Sequence, residues 1–327
     1  MASDPLSGFF LHPASSLHDT GWNHPEHQGR LRTLASTVGK DLLALHGHVE
    51  QMEGGEAGME DLLRVHGADH VESVRAACEE ARDEETIVSL DADTRVSGAS
   101  WEAAVGSAGC VITAAEAVAQ GRLRTAFVAA RPPGHHATRD RAMGFCLFNH
   151  VAVAARRLQS RGHAERVLIV DWDVHHGNGT QDIFYDDPSV FYLSLHQWPH
   201  YPGTGAADET GVGAGEGFTL NVPLPAGTSR PVYLERFEAA LDAAVRRASP
   251  DFILISAGFD VLSGDPLGGM LLEPEDLHAM TGTVLAAAAE ACRGRVVASL
   301  EGGYDPRRLG AGVVAVVRAL AGLPLPG

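Results

Sequence analysis

Residues 166–179 read Arg166-Val-Leu-Ile-Val-Asp-Trp-Asp-Val-His-His-Gly-Asn-Gly179: an apolar run ending abruptly in two carboxylates and two imidazoles. Val167–Asp171 has the length and β-branching of a strand. It is apolar at consecutive rather than alternate positions, which points to burial on both faces and so to a parallel sheet between helices. Reactive side chains at the end of such a strand are costly to bury, since even a neutral polar group loses about 2–7 kcal/mol without a partner. Asp173 and His175 are two residues apart, so an extended chain projects them to one side, where they can share an ion.

The same pattern recurs along the chain. Ala126–Ala130, Phe191–Leu195, Phe252–Ser256 and Val296–Leu300 read as further strands, and alanine-rich segments between them read as helices. The predicted helices span Gln28–Val38, Trp101–Ala119, Asn149–Gln159, Val232–Arg247, Pro274–Cys292 and Pro306–Leu320, with Pro274 and Pro306 suited to a first turn. The fold class expected is α/β, a single open, mainly parallel multi-stranded sheet with helices on both faces. No linker divides the chain, and the glycine-rich stretch Thr204–Gly217 reads as a long loop. Residues 1–327 are therefore expected to form one domain.

A net charge of −17 argues against binding nucleic acid, which needs clustered Lys and Arg. The four cysteines (Cys78, Cys110, Cys146 and Cys292) form no CxxC pair and fit a reducing compartment. Met1–Pro5 starts no signal sequence, and the apolar Val313–Leu323 is too short to span a membrane. A cytoplasmic protein without membrane contact is expected.

In open α/β sheets, ligands bind beyond the carboxyl ends of the strands. Four polar clusters fall there: Arg131–His136, Asp171–Asn178, Asp260 and Glu301–Tyr304. Asp260 adds a third ligand to Asp173 and His175. Two carboxylates and one imidazole leave a position open for water or substrate, the mark of a catalytic site, and zinc, iron and cobalt all suit the set. The tandem His135-His136 follows a loop stiffened by Pro132 and Pro133, and suits proton transfer beside a metal. Gly302 and Gly303 let the backbone approach a ligand, and the Tyr304 phenol can donate to an oxyanion, a contribution of about 3–4 kcal/mol.

Together these segments resemble the arginase–deacetylase superfamily. They are most similar to its zinc-dependent histone deacetylase family, which includes bacterial histone deacetylase-like amidohydrolases and acetylpolyamine amidohydrolases. The resemblance runs from His12 and His24-Pro-Glu26 to Tyr304. It is carried by Arg131-Pro-Pro-Gly-His-His-Ala137, Gly144-Phe-Cys-Leu-Phe-Asn149, Asp171–Gln181, Ser256–Gly268 and Glu301–Tyr304. It implies a deacetylase holding one Zn²⁺ per chain on Asp173, His175 and Asp260. His136 would act as general base and acid, with His135 assisting electrostatically. Asp171 would orient His135 and Asn178 would orient His136, while Tyr304 stabilises the oxyanion.

Phe145 and Tyr201 would line the channel for the acylated alkyl amine, and the Gly144 carbonyl would accept its amide N–H. The family also binds potassium. Asp171, Asp173, His175, Ser194 and Leu195 would frame one site, and Phe184, Asp187, Val190 and Phe218 a second. Trp172 and Asn178 resemble the class II pattern, and Tyr304 stands where a poorly active subgroup carries histidine. His176 reads as structural.

The arginase relatives use two manganese ions held by additional carboxylates. Here the corresponding places are Gly177 and Leu262, so one metal and amide rather than guanidino hydrolysis are expected. In the vertebrate polyamine-selective branch a glutamate follows Gly-Asp-Pro; this chain has Leu267 there, which favours acyl-lysine peptides or other small acylated amines. An acetylpolyamine substrate stays open, with Asp91, Asp93 or Asp208-Glu209 supplying the acid, although Asp93 could equally bind a substrate backbone amide. A non-catalytic acyl-amine binding protein would lack a ligand, an imidazole or the tyrosine, and all are present. The Thr204–Gly217 loop is a candidate for a homo-oligomer interface or for shaping the channel rim.

Overall fold

The computed structural model describes residues 6–326; the Met1–Pro5 segment read above lies outside them. In chain order the elements are β1 (Ser7–Phe10), α1 (Gly29–Lys40), α2 (Leu42–Leu45), β2 (Val49–Met52), α3 (Met59–Leu63), α4 (Ala68–Asp83), β3 (Val88–Ser89) and β4 (Arg95–Val96). There follow α5 (Ser100–Ala119), β5 (Thr125–Val128), α6 (His150–Ser160), β6 (Val167–Asp171), α7 (Asn178–Phe184) and β7 (Val190–Gln197). The chain closes with β8 (Thr219–Leu224), α8 (Arg230–Ala248), β9 (Phe252–Ala257), α9 (Pro274–Cys292), β10 (Val296–Leu300) and α10 (Pro306–Leu320).

Eight strands form one sheet in the order β2-β1-β5-β10-β9-β6-β7-β8, parallel at every pairing. Each central strand feeds two cores alternately. Leu168 and Val170 of β6 join one face, with α1, α8, α9 and α10, while Val167 and Ile169 join the other, with α4, α5 and α6. That division explains the unbroken apolar runs. The helix Ser100–Ala119 is long and apolar enough to cross a membrane by composition, yet 78% of its apolar window is buried within this fold.

All five predicted strands and all six predicted helices are present, with ends moved by a few residues. The strands not predicted are short or polar. Ser7-Gly-Phe-Phe10 is interrupted by glycine, Val49-Glu-Gln-Met52 is half-exposed at one edge, and β8 carries Pro223 at the other, where proline is tolerated. The four chemical clusters follow β5, β10, β9 and β6, which are consecutive neighbours in the sheet. Segments distant in sequence therefore converge at one edge.

Helix α5 shows how tightly its face is packed. A Cβ at Gly109 would lie 1.9 Å from the Gly55 carbonyl oxygen, whereas at the exposed Gly282 of α9 it would meet nothing within 4 Å. The two Gly→Ala substitutions should differ in sign. Gly109→Ala should destabilise by about 1–3 kcal/mol through overpacking, and Gly282→Ala should stabilise by about 0.5–1 kcal/mol through helix propensity. Denaturant midpoints read both; equal shifts would refute the packing described.

Candidate active site

Asp171 closes β6, and Asp173 and His175 follow it. Asp260 arrives from the turn after β9, and its Oδ1 accepts the Val174 N–H at 2.9 Å. Ligand atoms of Asp173, His175 and Asp260 all lie within 4.8 Å of one another, and all three residues are buried. His175 Nδ1 sits 3.0 Å from Asp173 Oδ1 and 3.2 Å from Asp260 Oδ2.

Burial alone would depress the imidazole, but the two carboxylates outweigh it and push its pKa up to about 9. The cluster thus gathers positive charge, as a set of two carboxylates and one imidazole built for a divalent cation does. Backbone closes around it without side chains. A Cβ on Gly302 would fall 2.0 Å from Asp260 Oδ2, and one on Gly258 would fall 2.4 Å from Asp173 Oδ2. The Gly302 N–H donates to Asp173 Oδ2 at 2.8 Å. The chemistry of these donors fits a divalent ion such as zinc.

The two places read as lacking a second metal's carboxylates are both tightly packed. A Cβ on Gly177 would lie 2.3 Å from Asp171 Oδ2, and Leu262 is buried in the core. Among the described residues, no further cluster of three or more possible ligands occurs.

The tandem histidines lie beside the triad, their rings 4.0 Å apart. His135 Nδ1 is 3.0 Å from Asp171 Oδ2, which also accepts the Tyr192 hydroxyl at 3.0 Å. His136 Nδ1 is 2.9 Å from Asn178 Oδ1. An amide oxygen only accepts, so Nδ1 carries the proton and Nε2 keeps its lone pair.

The two rings are driven apart electrically. Burial opposes charging His135, but Asp173 and Asp171 overcome it and raise its pKa to about 10. Burial, the His135 charge and the His175 charge together hold His136 well below its ordinary value. One ring is a cation and its neighbour a neutral base, the pattern that marks divided acid–base roles.

A cavity of about 490 Å³ opens onto these groups. The predicted substrate residues Gly144, Phe145, Tyr201, Leu267 and Asp93 all line it, as do His136, His175 and Tyr304. Tyr201 meets the His136 ring edge-on at 5.2 Å. Gly144 has φ +55°, and a Cβ there would strike His136 Cδ2 at 2.4 Å. Asp93 is half-buried. Burial first and Asp91 second raise its pKa.

The other proposed acids are engaged elsewhere. Asp91 Oδ1 accepts the N–H groups of Asp93 and Thr94, and Glu209 accepts from Gly205, Ala206 and Gln181. Of the acids offered for the channel mouth, only Asp93 lines the cavity; Asp91, Asp208 and Glu209 do not.

Of the residues read as potassium sites, His175 lines the cavity, whereas Phe184, Asp187, Val190, Ser194 and Leu195 do not. Ser194 pairs in register with Asp171, and Leu195 follows it along β7. Phe184 ends α7, and its carbonyl accepts the Asp187 N–H at 3.1 Å; Val190 begins β7. The Asp187 carboxylate pairs with Arg156 at 2.6 Å.

Four residues to which the sequence reading gave no role stand close to the site. His200 stacks on His175 at 4.9 Å and bonds to the Leu267 carbonyl at 2.9 Å. Glu26 is buried between Arg30 and Arg131 at 2.8 and 2.7 Å. Arg30 reaches the carbonyls of Gly303 and Glu301 and stands over the Tyr304 ring at 4.9 Å. Glu301 accepts two amides of the tandem-histidine loop. The i,i+4 spacing of Glu26 and Arg30 was the one local signal.

Residues 24–320 match the family model described as the histone deacetylase domain. The chain is 38% identical over 311 residues to histone deacetylase 10, chloroplastic, of Oryza sativa subsp. japonica, covering 92% of this chain and 70% of that one. It is 37% identical over 320 residues to the histone deacetylase-like amidohydrolase of Pseudomonas aeruginosa, covering 98% and 81%. The crystal structure of the HDA15 HD domain is similar at a TM-score of 0.89 and 37% identity, covering 98% of this chain and 90% of that one.

Behind the histidine loop, His66 donates from Nδ1 to the Thr138 carbonyl at 2.9 Å and accepts the Asn149 N–H at Nε2 at 3.0 Å. Burial, then the neighbouring His70, lowers its pKa to about 3. Its folded pKa lies below the unfolded value of 6.5, so its contribution to stability is complete above pH 6.5 and is lost as pH falls toward 3. His66→Gln should flatten the slope of unfolding free energy against pH between those limits by about 1.4 kcal/mol per unit. Urea titrations at several pH values check this; an unchanged slope would mean that His66 is charged in the fold.

Proposed function

The chain belongs to the histone deacetylase family and is a hydrolase acting on amides of acetylated amines, and from that premise we propose that its substrates are acyl-lysine side chains in peptides. The observation that carries this reading is the cavity wall: Phe145, Tyr201 and Leu267 offer apolar contact, and Asp93 is the one carboxylate among the lining residues outside the metal triad's own neighbourhood. Leu267 stands where a polyamine gate would need an acid to attract a distal ammonium. Acetylpolyamine hydrolysis is the second reading, and it rests on Asp93 alone.

In the proposed reaction, Asp173, His175 and Asp260 would hold one zinc ion. When bound, that ion supplies Lewis acidity toward the amide carbonyl and toward water. His136 Nε2 takes a proton from the attacking water and later gives it to the departing amine, so the C–N bond breaks and acetate and free amine result. His135, cationic and fixed by Asp171, offsets the negative charge that builds beside it. The Tyr304 hydroxyl donates to the oxyanion as the carbonyl carbon becomes tetrahedral. Asn178 carries no charge, so its hydrogen bond orients His136 while raising its basicity less than a carboxylate would.

Acetate release should give a higher kcat/KM for an acetyl-lysine peptide than for acetylputrescine, and Tyr304→Phe should lower kcat by about 10²-fold or more. A preference for acetylputrescine of about a hundredfold would discard the peptide reading. Turnover of Tyr304→Phe at the wild-type rate would discard the oxyanion role.

Potassium bound near Ser194 and near Phe184 is part of the same proposal, supported by the side-by-side ends of β6 and β7. Tm should rise with potassium chloride more than with choline chloride at equal ionic strength. Equal rises would remove the ion from the scheme.

A further inference from the structure

Glu301 follows β10 and is fully buried, yet its carboxylate has no part in the proton and oxyanion chemistry above. Its Oε2 accepts the main-chain N–H of Gly134 at 2.6 Å and of His135 at 3.1 Å. Those amides belong to the loop that leaves β5, the strand beside β10 in the sheet. The Glu301 main chain is held on both sides, its N–H donating to the Ala257 carbonyl at 3.0 Å and its carbonyl accepting from Arg30 at 2.7 Å. Three residues further along the same chain comes Tyr304. One side chain thus ties the loop bearing His135 and His136 to the loop bearing the phenol.

A simple filler would not be a carboxylate. Burial drives the Glu301 pKa up to about 7, against the pull of His135 and of the two amides. An apolar side chain of similar volume avoids that cost and commonly leaves stability unchanged or better. What the carboxylate adds is direction: N–H bonds to an ionised oxygen are short and strong, and both converge on one atom. Asp171 fixes His135 at its ring, and Glu301 fixes it at its main chain. With both ends held, the adjacent His136 has little freedom to drift from its place opposite Tyr304. Glu301 is absent from the cavity lining, so it acts through these neighbours and not on substrate.

We infer that Glu301 is a positioning residue for amide hydrolysis, its carboxylate setting the separation between the tandem-histidine loop and the Tyr304 loop. The inference rests on the reaction proposed above.

Two variants test it. Glu301→Gln keeps a carbonyl oxygen able to accept both amides, and Glu301→Ala removes it. With an acetyl-lysine peptide, Glu301→Ala should lose about tenfold or more in kcat while KM stays within about threefold, as misplacement of reacting groups does. Zinc content should equal that of wild type, and Glu301→Gln should remain within about threefold of wild-type kcat. Hydrogen exchange at the Gly134 and His135 amides should quicken in Glu301→Ala and stay slow in Glu301→Gln.

Wild-type kcat with slow exchange in Glu301→Ala overturns the inference. So do equal losses in both variants, or a loss in Glu301→Ala that merely tracks lost zinc or lost folded protein. A wild-type enzyme silent toward every acylated amine would sink the proposed reaction instead, and the exchange comparison would still decide whether Glu301 braces the loop.

Discussion

One buried carboxylate held between two arginines constrains everything else at this site. Glu26, Arg30 and Arg131 are all fully buried. Burial acts to raise the Glu26 pKa, but Arg131 and then Arg30 overcome it and hold the group ionised. The guanidinium donors left over find carbonyls: Arg131 reaches those of Ser15, His18 and Glu26, and Arg30 those of Gly303 and Glu301. Breaking such a pair from one side strands a charge, at about 3–5 kcal/mol, whereas replacing the whole set by apolar groups often costs nothing. Stability alone therefore does not account for the network. Its effect is geometric, since it draws the N-terminal segment, the start of the tandem-histidine loop and the Tyr304 loop to a single point.

The same network bears on charge. Two guanidinium groups share one glutamate, which leaves an excess positive charge near the sheet edge where Asp171, Asp173, Asp260 and Glu301 are buried together. The two histidines separate on nearer partners. His135 faces Asp171 and Asp173, which raise its pKa, while burial and the His135 charge hold His136, paired with a neutral amide, well below its ordinary value. The difference lies in the partners, not the residues. A histidine pair in which both members met carboxylates would have no free base at neutral pH.

Much of this was legible in the sequence because it is written locally. Strands buried on both faces leave consecutive apolar runs, and the ends of β5, β6, β9 and β10 switch within three residues to chemistry. The ligands Asp173 and His175 share a face through their spacing alone. What was not legible depends on partners far along the chain. Arg131 meets Glu26 across 105 positions, and Glu301 meets Gly134 across 167. Nothing local announces either contact. The surroundings of the candidate acids are hidden in the same way: a sequence displays the carboxylates of Asp91 and Glu209 but not the backbone amides they accept.

The channel mouth follows from similar coupling. Phe145 adopts φ +68°, a left-handed conformation that costs a bulky residue about 1–3 kcal/mol. The strain is held by its N–H, which donates to Thr94 Oγ1 at 3.1 Å, and by its ring, which packs edge-on between His24 at 4.7 Å and Tyr304 at 5.8 Å. The Thr94 hydroxyl in turn donates to Asp93 Oδ1 at 3.2 Å. The wall ring and the acid at the rim are therefore one mechanical unit. On the proposed reading this favours a peptide. A half-buried carboxylate, locked in place and with its pKa raised, is poorly suited to following a mobile ammonium at the end of a polyamine. It is well suited to accepting a hydrogen bond from a substrate main chain that arrives at a fixed distance from the scissile amide.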